Sequence, residues 1–410
     1  MKSTTHLACA ACAIALLAAA ACRDEVEIFE PEVETVAPPD TTSVPPPPSS
    51  PSDSTPAIVV RPPLGLYLLN EGNMGSNKST LDYLDLTTGK YHRNIYAAAN
   101  PHVPMELGDV GNDLKIYGSK LYAVINCSNK VEVMDKHTTR RLGQVDIPNC
   151  RYIRFHEGYA YVTSYAGPVR IDLNYEQLGY VAKVDTATLQ VVDRCIVGFQ
   201  PDELEIVGEK IYVANSGGYR VGADDYGNRV SNYENTVSVV DIATFTEVKR
   251  IEVAINLHHL RADRHGNLWV SSRGDYYDIH ASLHWIDTQT DTYGGSLAIP
   301  ASNFYLDGDS LYIYCTDWSY ISYSNSVTYG IVDVAKREVM CRNFITDGTD
   351  KRIEIPYGVV VHPITKDIYL TDAGGYTYPG TLYCYDRSGK KQWEARTGDI
   401  PAHFAFLLPD

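Results

Sequence analysis

Leu84-Asp85-Leu86-Thr87-Thr88 ends a strand-like run with a carboxylate and follows it, within three residues, with threonine. The pattern returns as Met134-Asp135 to Thr138, Val184-Asp185 to Thr188, Val240-Asp241 to Thr244 and Ile286-Asp287 to Thr290. Two further copies, Val332-Asp333 to Lys336 and Tyr385-Asp386 to Gly389, close on other residues. A carboxylate at the end of a strand accepts backbone N–H groups two and three residues on and pins a tight turn into the next strand. These aspartates are therefore read as structural rather than catalytic. Strand-patterned repeats spaced by roughly fifty residues indicate a propeller and not a helical solenoid.

A second signal precedes each aspartate: Leu66-Tyr67-Leu68, Leu121-Tyr122-Ala123, Ala160-Tyr161-Val162, Ile211-Tyr212-Val213, Leu268-Trp269-Val270, Leu311-Tyr312-Ile313 and Ile368-Tyr369-Leu370. Alternation around an aromatic suits a strand pressed between two neighbouring sheets. In five repeats it follows a Gly-containing turn, such as Gly118-Ser119 or Glu157-Gly158, where positive φ is needed. The expectation is an all-β, seven-bladed propeller of four-stranded antiparallel blades. The first blade has no innermost strand before Leu66, so Pro401-Ala402-His403-Phe404-Ala405-Phe406 is predicted to supply it and close the ring.

The ends of the chain read differently. Residues 1–21 form a signal segment, with Lys2 ahead of the apolar run Leu7 to Ala21, too short for a membrane span. Leu17-Ala18-Ala19-Ala20-Ala21-Cys22 resembles a bacterial lipoprotein box, with Ala19 where Leu is usual, so Cys22 is the expected lipidation site; plain secretion is the alternative. Arg23-Asp24-Glu25 looks like an acidic export signal of surface-displayed lipoproteins. The expected location is the outer membrane, lipid-anchored and facing outward. Residues 22–63 are expected to be an unstructured stalk, since Pro31 to Pro63 is rich in Pro, Ser and Thr without an apolar period. Asp40-Thr41-Thr42 and Asp53-Ser54-Thr55 are similar to O-glycosylation sequons. Residues 64–410 make up the propeller. A net charge of −16, with six acids between Asp24 and Glu34, argues against nucleic acid or an anionic lipid surface as partner, leaving the lipid anchor as the expected membrane contact.

In antiparallel blades the turns after strands one and three share one face of the disc, and those after strands two and four share the other. The first face receives only the short Gly and Asp turns. The second receives every long connection: Glu71 to Ser79, Tyr165 to Leu178, Ser216 to Glu234, Gly274 to His280, Asp317 to Val327 and Ala373 to Pro379. Loops that a fold does not need are where function resides. These are rich in tyrosine, of which the chain has 31 against 8 phenylalanines, and tyrosine offers a rigid plane with a hydrogen-bonding edge. The candidate ligand-binding residues from the loops are Asn73, Met74, Tyr165, Tyr219, Arg220, Arg273, Asp275, Tyr276, Tyr277, Trp318, Tyr320 and Tyr376. The starts of inner strands add Arg151, Tyr152, Tyr357, His403 and Phe404, with Asp109, Asn112, Asp202, His258, His259 and Asn303 nearby. Together they predict an aromatic, amide-rich crater over the central channel; packing of these tyrosines on neighbouring blades is the competing reading.

Neither a nucleophile elbow nor a phosphate loop, zinc-protease motif or calcium loop is present, and no catalytic residue, resident metal or required cofactor is expected. Asp109, Asp202, Glu203 and Asn303 could ring a divalent ion as in propeller lactonases, which keeps a metal-dependent hydrolase as one alternative. A non-catalytic adhesion or scaffold propeller is another. Cys127, Cys150, Cys195, Cys315, Cys341 and Cys384 lack metal-ligand spacing and read as buried thiols. Cys127 and Cys150 alone would emerge on one face of adjacent blades, so a disulfide there stays open.

Gly65-Leu66-Tyr67-Leu68-Leu69-Asn70-Glu71-Gly72-Asn73, Leu107-Gly108-Asp109-Val110-Gly111-Asn112-Asp113, Asn149-Cys150-Arg151-Tyr152-Ile153, Tyr161-Val162-Thr163-Ser164-Tyr165 and Val213-Ala214-Asn215-Ser216-Gly217-Gly218-Tyr219 make residues 65–410 resemble the YncE-type seven-bladed propellers. Within these the chain looks most like the BtuG-type surface lipoproteins. The resemblance implies capture of cobalamin or a related corrinoid and its transfer to a TonB-dependent outer-membrane transporter.

Overall fold

The computed structural model describes residues 31–38, 61–103 and 107–410. Seven sheets surround a channel, each built of four antiparallel strands in consecutive order from the axis outward. The inner strands of blades 2 to 7 are Gly111–Tyr117, Cys150–His156, Pro201–Val207, Leu257–Ala262, Asn303–Asp307 and Pro356–Val361. Blade 1 takes its inner strand from the chain end, as expected: Pro401–Leu407 pairs antiparallel with Gly65–Asn70, matching Leu66 to Phe406 and Leu68 to Phe404.

The repeated aspartates make the turns their spacing requires. Asp135 accepts the N–H groups of His137 and Thr138 at 3.0 and 2.9 Å, and Asp185 those of Ala187 and Thr188 at 2.9 and 2.8 Å. Gly158 and Gly208 adopt φ of 84° and 57° in the short turns of the same face. The strand-two aromatics Tyr67, Tyr122, Tyr161, Tyr212, Trp269 and Tyr369 are buried between blades, and Tyr312 is partly so. Two of them latch one blade to the next: Tyr67 donates its hydroxyl to the Lys136 carbonyl at 2.6 Å, and Tyr212 donates to Asp291 at 2.5 Å.

Several elements differ from the sequence expectation. Val33–Thr35, within the stretch read as an unstructured stalk, adds a fifth strand to the outer edge of blade 1 and pairs with Lys90–His92. The unpaired backbone of an outermost strand is a ready template for such an addition. Ile95–Ala99 is a short helix between blades 1 and 2, with Tyr96 buried and donating to Glu132 at 3.2 Å. In blade 6 the connection expected over Asp317 to Val327 is mostly strand. Ser310–Ser319 and Ser324–Asp333 pair along their whole length, so Trp318 stands on a rigid hairpin opposite Asn325. The thiols of Cys127 and Cys150 are free; that of Cys150 points at the Lys130 carbonyl, 3.3 Å away. Cys22 and both sequon-like stretches lie outside the described residues.

A crater on the elaborated face

Inner strands lose regular pairing where they begin. Register shifts fall near the crater end of the inner strand in blades 1 to 5 and 7. Such bulges re-aim side chains, and here they let consecutive residues both reach the channel. Arg151 with Tyr152, and His258 with His259, line one cavity of about 650 Å³. The longer connections after strand two wall it on the same side. Below it a second chamber of about 340 Å³ occupies the channel; Tyr152, His259, Asn303 and His403 border both and form the waist between them.

Of the candidate binding residues, Asn73, Met74, Arg151, Tyr152, Tyr219, Arg273, Tyr276, Trp318, Tyr357, Tyr376 and His403 line the crater. The others lie elsewhere. Tyr165 is buried beneath it, with its ring under the Arg151 guanidinium at 4.9 Å and its hydroxyl donated to Asp202. Arg220 lies over Phe199, 4.0 Å from the ring centre. Asp275 caps its own loop by accepting the N–H groups of Tyr277, Asp278 and Ile279. Tyr277 and Tyr320 stack on each other at 5.2 Å, with Arg229 against both rings, 4.3 Å from the centre of Tyr277 and 5.7 Å from that of Tyr320, so three neighbouring blades interlock at the rim. Phe404 faces the lower chamber.

Sequence reading missed Glu71, Tyr314 and Asn126 in the lining. Glu71 follows the end of strand two, as Tyr165 and Arg273 do in their blades, and that equivalence was the available signal. It accepts hydrogen bonds from Tyr357 and His403, each at 3.0 Å. Asn73 donates to the Tyr376 carbonyl at 3.1 Å, tying the loops of blades 1 and 7 together.

Beneath the crater the charged groups are paired across blades. Glu203 accepts from Arg154, from Arg261 at 3.2 Å, from His259 Nδ1 at 2.8 Å and from the Leu260 N–H at 3.0 Å. Burial works against its ionisation, but the Arg261 and Arg154 charges outweigh it and hold the carboxyl well below the usual range. Asp113 is likewise lowered, despite burial, by Lys115 and Arg154. Asp202 is buried and meets Arg151, Arg273 and Tyr165. His258 shares a hydrogen bond with the Tyr152 hydroxyl at 2.9 Å; burial and then the Arg273 charge push it well below the ordinary histidine range, so it is neutral near pH 7. The carboxylates considered for a metal ring are separately engaged. Asp109 accepts the Gly75 and Asn77 N–H groups, and Asp202 and Glu203 serve different arginines. Among the described residues, no three His, Cys, Asp or Glu side chains gather as a metal site.

A closed seven-bladed ring with an aromatic, amide-lined crater on one face and bare turns on the other defines a seven-bladed β-propeller. The chain belongs to the family described as domain of unknown function DUF5074, whose model matches residues 64–406. Among solved structures it is similar to Kuenenia stuttgartiensis hydrazine synthase, with a TM-score of 0.55 and 16% identity over 72% of this chain and 88% of that one. It is also similar to apo AztD from Citrobacter koseri, with a TM-score of 0.47 and 12% identity over 83% and 96% of the two chains. At 16% identity the likeness to the hydrazine synthase chain is one of fold. No curated protein matches the chain.

Proposed function

We propose that this protein is a non-catalytic capture protein whose crater holds a corrinoid of the cobalamin class. In this reading it is held by a lipid on Cys22 at the outer-membrane surface and passes its ligand to a TonB-dependent transporter. The observation that carries the reading is the make-up of the crater: ring faces and edges from Tyr152, Tyr219, Tyr276, Trp318, Tyr357 and Tyr376, amides from Asn73, Asn112, Asn126, Asn303 and Asn325, and acids already tied to protein donors. A corrinoid is a broad plate fringed with amides, which asks for flat apolar surface and dispersed donors and acceptors at its rim. The sequence resemblance to BtuG-type lipoproteins supports the same choice.

Titration with cyanocobalamin is expected to give heat and a change in the corrin spectrum; neither would appear if the ligand class is wrong, and the propeller would stand regardless. Tyr276→Ala combined with Trp318→Ala should weaken binding by about 1–4 kcal/mol through lost stacking and burial. Unchanged affinity in that variant would move the ligand off the crater wall. For the anchor, Cys22→Ala should shift the protein from the membrane fraction to the soluble fraction. Retention in the membrane would remove Cys22 from the proposal.

A further inference from the structure

At the base of the crater two guanidinium groups share one carboxylate. Arg151 donates its Nε–H to Asp202 Oδ1 at 3.1 Å, and Arg273 donates from Nη1 to Oδ2 at 2.8 Å. Tyr165 also donates to Oδ1, at 2.8 Å. Asp202 has no exposed surface, whereas the two arginine side chains keep 13% and 24% of theirs, and both border the cavity. One negative charge therefore faces two positive ones, and a unit of positive charge is left over.

Asp202 is the only acid among the groups that act most strongly on the two guanidinium groups. Glu203 is committed to Arg154, Arg261 and His259, Glu71 to Tyr357 and His403, and Asp317 to His280 at 2.9 Å. The other groups that act most on the pair are the phenols of Tyr152, Tyr165, Tyr219 and Tyr276, and burial raises those of Tyr152, Tyr165 and Tyr276 above their ordinary range. Among the described residues, no hydrogen bond joins the Nη groups of Arg151 or the Nε and Nη2 of Arg273 to the protein, and both side chains border the cavity. A partly desolvated, uncompensated cation is costly until an anion arrives. Burial lowers the basicity of His258, and the charges of Arg273 and Arg151 add to it.

We propose that the crater floor is an oxyanion subsite, in which Arg151 and Arg273 together grip one singly charged phosphodiester of the captured molecule. The planar donor fork of arginine suits phosphate oxygens, and a single negative charge matches the one positive charge that Asp202 leaves unpaired between Arg151 and Arg273. This rests on the capture reading above. Within the corrinoids it makes a choice: cobalamin carries a phosphodiester in its nucleotide loop, and cobinamide does not.

The test uses the full chain with cyanocobalamin and dicyanocobinamide, and compares wild type with Arg273→Gln and Arg273→Lys after melting curves confirm folding. Wild type should prefer cobalamin by roughly 10- to 100-fold, the worth of a charged hydrogen bond. Arg273→Gln should erase most of that preference by weakening cobalamin alone, and Arg273→Lys should restore part of it. Equal affinity for both ligands in wild type, or an equal loss for both in Arg273→Gln, overturns the subsite while corrinoid capture survives. Should neither corrinoid bind, the capture reading fails separately and inorganic phosphate decides. A phosphate-dependent rise in melting temperature that sulfate-free sodium chloride does not reproduce, and that Arg273→Gln abolishes, supports the subsite; no phosphate effect overturns it.

Discussion

Deletion of residues 399–410 is expected to prevent folding altogether. The lost segment includes the whole inner strand of blade 1, which pairs with Gly65–Asn70 over its full length. All six residues of Gly65–Asn70 are buried, so removing the partner exposes an apolar edge strand in the middle of the ring, the arrangement most prone to aggregation. The same segment holds the ring from both sides: Thr371 of blade 7 donates to the Pro401 carbonyl at 2.7 Å, and Lys136 of blade 2 pairs with Asp410 at 2.5 Å. Expression followed by circular dichroism melting checks this. A soluble truncation that melts cooperatively would count against closure by the C-terminal strand.

Glu203→Ala is expected to destabilise the protein by about 3–5 kcal/mol, the cost of leaving buried cations without their anion. Glu203, on blade 4, accepts from Arg154 of blade 3 and from His259, Leu260 and Arg261 of blade 5, so one carboxylate holds three blades together. Urea unfolding would read the loss, and a change below about 1 kcal/mol would show that the cluster relaxes around the gap. The pH dependence has a definite sign. Because the folded carboxyl is held well below its ordinary value, its contribution is complete above the normal glutamate range, about 4.3. It is lost as pH falls through the lowered folded value. Glu203→Gln should remove that part of the acid slope.

What could be read from the sequence was what the chain states locally and repeatedly. The Asp turns and the Gly hairpins need only neighbours in sequence, which is why Asp135 and Asp185 are found doing what their spacing implies. The one-sided distribution of long connections followed from strand parity alone, and it located the crater. Single contacts were harder. Tyr277 and Tyr320 stack across two blades, a pairing set by three-dimensional packing that a loop's composition does not encode, whereas Tyr165 supports Arg151 within its own blade and Asp275 caps its own loop. Phe404 fell below the waist, while its neighbour His403 borders both chambers. The ionic cluster, in which Glu205 also pairs with Arg261 at 3.1 Å and Arg154 at 3.6 Å, did leave a trace: Lys115, Arg154, Glu205 and Arg261 are each the fifth residue of their inner strands, so aligning those strands would have exposed it. The added strand Val33–Thr35 and the extended hairpin of blade 6 depend on a free edge and on long-range pairing, and carried no such trace.

That added strand also gives the molecule a bearing. Glu32, at its start, pairs with Arg93, where blade 1 leaves for blade 2 on the crater side, whereas Val36 and Ala37 hydrogen-bond to Gly89 in the opposite, bare-turn layer. The strand therefore starts at the rim beside the crater mouth and ends among the bare turns. Were Cys22 to carry the lipid proposed above, nine residues at full stretch, about 30 Å, would set the greatest distance between Pro31 at this rim and the membrane.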